Sequence, residues 1–390
     1  MSRQLSDSRD NFLVFGAPCI EQPEIDEVVS CMQSAWLGTG PKVARFEEEF
    51  KSYKHTAHAV AVNSCTAALH LSILVAGLKP GDEVITTPLT FCATVNAIIH
   101  AGGTPVLADV DPDTMNIDPA EVEKKINHRT KAIIPVHFAG RPCNMNALCR
   151  IARENELVLI EDCAHAIEAE YHGKKIGTFG DLSCFSFYVT KNLVTGEGGM
   201  ILTNEKEYAD RLKILALHGM SSDAWSRFSD EGYKHYMVTE PGFKYNMMDL
   251  QAAIGIHQLK RIESYWKRRK EIWNLYNRAF NELPITLPAQ ADADTRHAYH
   301  LYPVLIDEKQ TGISRDAFLS AMNDRNIGTG VHYLSIPEHP YYQKTFGWIP
   351  EDYPHAMKIG RKTVSLPLSA KLSDKDIEDV IVAARKIVLK

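Results

Sequence analysis

The sequence predicts an α/β fold: a doubly wound, mainly parallel sheet of seven strands, followed by a smaller α+β unit. Three observations carry this. The chain has 390 residues, too many for one small core at roughly 100–200 residues per domain. From about residue 55 to about residue 205, short apolar runs alternate with helical patterns at the spacing of βα units. After a long helical stretch the pattern changes to strand, helix, strand and helix. The expected division is a large unit over residues 1–255, with the N-terminal segment free to pack on the smaller one, and a linking helix plus small unit over residues 256–390.

The elements follow in order. Ala59-Val60-Ala61-Val62 has the length and apolarity of a buried strand, and Thr66 to Ala76 is helical. Glu83-Val84-Ile85-Thr86-Thr87 is the second strand, Cys92 to His100 a helix, and Thr104 to Val110 the third strand. Four more strands are expected at Lys131 to Val136, Leu157 to Glu161, Cys184 to Phe187 and Gly199 to Thr203. Leu250 to Glu282 is one long helix whose basic run Lys267-Arg268-Arg269-Lys270 is expected to be a solvated face. The small unit is expected to hold strands at His300 to Ile306 and Gly330 to Leu334, a helix at Ser314 to Asn326, and a final helix from Ser373. Asp374 and Asp376 suit the first turn of that last helix.

Composition narrows the functional classes. Hydrophobic residues at 45% and charged residues at 24% fit a folded globular protein and exclude a disordered or fibrous one. A formal charge of -6 supplies no basic field for a phosphate polymer, so nucleic acid is excluded as an expected partner. The eight cysteines are dispersed and form no Cys-x-x-Cys pair, so they read as reduced core thiols and no metal site is expected. The polar start of the chain and the absence of an apolar run of about 18 residues point to a cytoplasmic protein with no membrane partner.

In open α/β sheets, ligands sit beyond the carboxyl ends of the strands, so chemistry is sought there. The strand Leu159-Ile160-Glu161 delivers Asp162, with His165 just after it. Lys191, flanked by Thr190 and Asn192, follows the strand around Phe185-Ser186-Phe187 and precedes the turn Gly196-Glu197-Gly198-Gly199. Asn63-Ser64-Cys65-Thr66 opens a helix with small hydroxyl-bearing residues, and Phe91 stands past another strand end. Alone, each has a plain structural reading: a cap, a packed histidine, a core aromatic. Jointly they meet the needs of pyridoxal 5′-phosphate (PLP). That cofactor requires a lysine amine for its Schiff base, a carboxylate against its pyridine nitrogen, a helix N-terminus for its phosphate, and a flat stacking partner.

Longer stretches carry a family likeness: Gly38-Thr39-Gly40-Pro41, Asn63 to Leu69, Pro80 to Thr86, Asp109-Val110-Asp111, Pro135 to Gly140, Glu161 to His165, Phe185 to Asn192, and Gly242 to Asp249. Nearly end to end, the sequence resembles the fold-type I, DegT-type aminotransferases that act on nucleotide-linked keto sugars. The resemblance implies that Lys191 forms the Schiff base, Asp162 meets the pyridine nitrogen and His165 lies near the phenolic oxygen. It also implies that Phe91 stacks on the ring and that Ser186, with the backbone of Cys65 and Thr66, binds the phosphate. Asn246 would reach the phosphate of a neighbouring subunit, giving a homodimer with shared sites. Phe91 stands where some relatives carry tryptophan.

Two further stretches, His218 to Trp225 and Ile327 to Tyr333, resemble the branch that aminates C4 of UDP-linked 4-keto sugars, enzymes of lipopolysaccharide and cell-surface polysaccharide assembly. Candidate substrate contacts are Trp36, Trp225, Arg227, Lys244, His332 and Tyr333, the cations among them suiting a diphosphate. L-Glutamate is the implied amino donor. The alternatives are a 3-keto sugar aminotransferase using a dTDP- or GDP-sugar, a PLP-bound sugar dehydratase, and a non-catalytic PLP or sugar-nucleotide sensor. In the dehydratase branch a histidine replaces the tethering lysine, so Lys191 counts against that reading.

Overall fold

The structure, a computed structural model, describes residues 9–221 and 237–389. Seven strands form the central sheet: β1 (His58–Val62), β2 (Glu83–Thr86), β3 (Thr104–Leu107), β4 (Thr130–Ile134), β5 (Val158–Asp162), β6 (Leu182–Ser186) and β7 (Gly199–Thr203). Their order is β1-β7-β6-β5-β4-β2-β3. The β2–β3, β2–β4, β4–β5 and β5–β6 pairs are parallel. Only β7 runs against both of its neighbours.

Strand side chains alternate between two cores, as period-two geometry requires. Ile85, Ile133, Leu159 and Phe185 face one core, where Phe46, Leu148 and Ile256 arrive from helices α2 (Pro41–Lys54), α6 (Met145–Glu154) and α8 (Asp249–Phe280). Val84, Ile134, Ile160 and Cys184 face the other. There Leu69, Ile98 and Leu212 come from α3 (Cys65–Val75), α4 (Cys92–His100) and α7 (Lys206–Ala216). With both faces covered, the strands carry near-continuous apolar runs, which is why they were legible. Helices α1 (Gln22–Gln33) and α5 (Pro119–Lys125) complete this part.

A separate apolar core forms around Trp273, Tyr276, Phe280, Tyr302, Phe318 and Val380. It joins the second half of α8 to β8 (Tyr302–Leu305), α9 (Arg315–Asn323), β9 (Thr363–Leu366) and α10 (Asp374–Val388). Helix α8 is continuous across residues 255 and 256; Ile256 and Ile262 lie in the first core, Ile272 and Trp273 in this one. The N-terminal segment packs here as well. Leu13 pairs with Ile327, and Arg9 bonds Asp376 and Asp379. Ser373 and Asp376 form a reciprocal capping box at α10.

Two expectations are corrected. Gly330 to Leu334 is not a strand; only Gly330 pairs, with Ser365, because β9 already fills the antiparallel position beside β8. The basic run on α8 is not uniformly solvated either: Arg269 is 3% exposed and bonded to the fully buried Glu168. Among the described residues no helix is long and apolar enough to cross a membrane. All eight cysteines are free.

Candidate active site

A cleft of about 500 Å³ lies beyond the carboxyl ends of the parallel strands and is closed from outside the sheet by Phe15, His300, Leu301, His332, Tyr333 and Leu368. Each strand end contributes. Past β1, Ser64 caps α3 by accepting from the Ala67 N–H, leaving the first turn at Cys65 and Thr66 turned to the cleft. The β7 strand passes that turn at Gly199, where an added Cβ would come within 2.6 Å of Ser64 backbone atoms. Glycine there lets strand and helix terminus approach, and it explains part of the Gly196 to Gly199 motif.

At the end of β5, Asp162 is 4% exposed. Its carboxylate accepts from Thr94 Oγ1 at 2.8 Å and from the Ala164 N–H at 3.1 Å. Burial raises its pKa; these two donors and the Lys191 charge oppose the rise. The neighbouring Glu161 points the other way. Its oxygens take His137 Nε2 at 3.1 Å and the amides of Gly177, Phe179 and Gly180, which hold it below the usual carboxylate range despite burial. Glu161, His137 and Cys163 are close enough to hold a metal ion, but Cys143 N–H occupies the other histidine nitrogen, and the trio reads as a structural knot.

Lys191, half-buried, reaches the cleft wall from the loop after β6. Desolvation pushes its ammonium down to about 8, with Cys65 and Asp162 pulling the other way. His165 hydrogen-bonds Tyr333 through Nε2 at 3.1 Å, while its Nδ1 is buried with no partner among the described residues. Burial first, and then Lys191, His300 and His332, hold it well below the ordinary imidazole range. Phe91, 57% exposed, faces the Tyr333 ring at 6.0 Å. Ser186 lies on the floor at the end of β6.

The cleft therefore gathers Cys65, Thr66, Phe91, Asp162, His165, Ser186, Lys191, His332 and Tyr333. It does not gather the rest. Asn246 donates to Thr39 Oγ1 at 2.6 Å, and Trp36 Nε1 donates to the Thr39 carbonyl at 3.1 Å, both away from their own chain's cleft. Lys244 is exposed and also lies off the cleft. Trp225 and Arg227 lie outside the described residues. Sequence reasoning missed Thr94, which shares a helix start with Phe91 and was reachable by the same logic. It also missed Phe15 and His300, which precede no motif and enter from irregular segments.

The fold superposes on Spr1654 of Streptococcus pneumoniae, assigned as a sugar aminotransferase and solved in PLP and pyridoxamine-phosphate forms. For the latter form the TM-score is 0.90 at 32% identity, covering 97% of this chain and 99% of that one. Fold and relatives define the class: the protein is a PLP-dependent aminotransferase. The chain belongs to the DegT/DnrJ/EryC1/StrS aminotransferase family, whose pattern matches residues 18–385. It is 50% identical over 381 residues to the spore coat polysaccharide biosynthesis protein SpsC of Bacillus subtilis, covering 97% of this chain and 98% of SpsC. Helicobacter pylori PseC, an aminotransferase of pseudoaminic acid biosynthesis, matches with a TM-score of 0.89 at 29% identity, covering 97% of this chain and 100% of PseC.

Proposed function

We propose that this protein moves the amino group of L-glutamate to the C4 keto carbon of a UDP-linked deoxy sugar, in the cytoplasm, as a homodimer with shared sites. One observation carries the chemistry: a lysine with a depressed pKa shares a cleft with a buried carboxylate and an open helix N-terminus. The names of SpsC and PseC, both tied to the making of saccharides, support the sugar.

The residues present fit the cofactor. His165 Nδ1 is an orphaned polar atom awaiting a partner, and Gly199 keeps the α3 terminus open at its side. In this reading Lys191 tethers PLP, Asp162 meets the pyridine nitrogen and His165 the phenolic oxygen. Phe91 stacks on the ring, while Ser186 and the Cys65 and Thr66 amides take the phosphate. When bound, PLP withdraws the charge left on the donor's α-carbon. Lys191 moves the α-proton, and a pKa near 8 leaves a share of neutral amine for that task. Thr94 and the Ala164 amide hold Asp162 in line. His332 and Tyr333, which line the cleft, border the sugar. The two half-reactions alternate on one site, so kinetics are ping-pong.

Asn246 serves the partner's phosphate. Its position away from its own cleft supports this, as does the exposed apolar stripe Ile25, Val29 and Met32 on α1, which a second copy would cover. Mixed dimers of Lys191→Ala and Asn246→Ala are expected to regain activity over either parent; no gain contradicts shared sites. A panel of UDP-, dTDP- and GDP-linked 3-keto and 4-keto sugars, with products mapped by NMR, tests the substrate. Amination at C4 of a UDP-sugar is the expected result, and amination only at C3 or only with another nucleotide overturns it.

A further inference from the structure

Behind Lys191 lies a buried polar chain that the proposed mechanism does not use. Arg269 is bonded to Glu168 in the interior, where the residues are 3% and 0% exposed. The other oxygen of that carboxylate accepts from Asn192 Nδ2 at 2.9 Å, and the same amide nitrogen donates to the Ala298 carbonyl at 3.1 Å. Both partners are acceptors, so the orientation of the Asn192 amide is fixed. Its Oδ1 must then face His300 Nδ1, 3.0 Å away, and that nitrogen must carry the proton.

His300 is 5% exposed and lines the cleft, its ring 4.4 Å from that of His165. Burial, followed by the charges of Lys191 and His332, holds it well below the usual imidazole range, so it is neutral. Its position is set by backbone as well. His300 N–H donates to the Ala139 carbonyl at 3.0 Å, and Gly140, at φ +96°, leaves no room for a Cβ between the His165 carbonyl and Ala298. A neutral ring with Nδ1–H has one lone pair, on Nε2, and no described residue bonds it.

We propose that His300 is a substrate-positioning residue, presented by Asn192 as an Nδ1–H imidazole whose Nε2 accepts a hydrogen bond from a hydroxyl of the sugar. The identity of that partner rests on the proposed function. A lone pair repels carboxylates and phosphates, which only accept. The amine of glutamate is the reacting group and belongs at Lys191. Sugar hydroxyls are the substrate donors that remain.

The test has two arms. In the PLP-loaded protein with ring-15N histidine, His300, assigned by comparison with His300→Gln, is expected to show Nδ1 protonated and Nε2 bare at neutral pH. An Nε2–H tautomer or an imidazolium overturns the proposal. Asn192→Leu is expected to erase the tautomer preference; a spectrum unchanged by it also contradicts the assignment. In the second arm, His300→Phe is expected to raise KM for the keto sugar roughly tenfold, the scale of one neutral hydrogen bond, and to affect the glutamate half-reaction clearly less. His300→Gln, which keeps an acceptor at that reach, is expected to restore most of the loss. Equal loss in both half-reactions, or equal loss in Phe and Gln variants, overturns the contact. The nitrogen spectrum needs no sugar. A native protein that aminates no nucleotide sugar would therefore sink the proposed function, while the tautomer is still decided on its own.

Discussion

Two lysines in this protein are driven to nearly the same acidity in different surroundings. Lys54, at the end of α2, is fully buried; its Nζ donates to the Ile167 carbonyl at 2.8 Å and lies 4.9 Å from the centre of the Phe185 ring. Lys191 is half-buried on the wall of an open cleft, with Asp162 nearby. Desolvation pushes each down to about 8. A depressed pKa thus reports loss of water and not a task. What separates the two is access: Lys191 faces space for a ligand, whereas Lys54 faces a carbonyl and an aromatic ring.

That contrast breaks most visibly under substitution. Lys191→Ala is expected to lower the glutamate half-reaction by about a thousandfold or more, since tether and base are lost together. Lys54→Met is expected to leave activity per folded molecule unchanged and to cost on the order of 1–3 kcal/mol, because the Ile167 carbonyl loses its donor. Denaturant melts beside single-turnover rates read both. Asp162→Asn comes next: the fold holds, because the amide oxygen can keep the Ala164 N–H while the amide NH2 donates to Thr94 Oγ1, whose own proton can turn to Thr90 Oγ1, but turnover falls about a hundredfold. Near-native turnover in that variant would show that another group meets the pyridine nitrogen.

The smallest effect is in pH. Lys54 has a folded pKa near 8 against an ordinary 10.5, so between these values the unfolded chain binds the extra proton. Stability from this residue accordingly rises with pH through that window and is lost as pH falls through 8. Lys54→Met should flatten the rise measured between pH 8 and 10. An unaltered slope would mean that Lys54 is solvated.

How much of this was legible from sequence divides along the same line. Strand ends were readable because both faces of the sheet are buried, so Leu159-Ile160-Glu161 and Cys184-Phe185 announce themselves, and Asp162 and Lys191 follow by position. The second core was read less well. The strand at Thr363–Leu366 is only four residues long and lies between a helix and a turn, so it was not read as a strand, and a second strand was expected at Gly330 to Leu334 instead. Arg269 sits in a basic run whose neighbours do face outward. Only the burial of Glu168, from a distant loop, turns it inward. His300 was invisible for a related reason: it enters the cleft from the irregular segment just before β8, where strand-end logic does not look.

The most direct test of the account is chemical trapping. Borohydride added to the PLP-loaded protein reduces a lysine Schiff base to a stable amine, and peptide mapping by mass spectrometry then locates it. The account predicts the added mass on the peptide containing Lys191 and none on the peptide containing Lys54. Cofactor fixed to Lys54 or to any other lysine, with Lys191 unmodified, would contradict it.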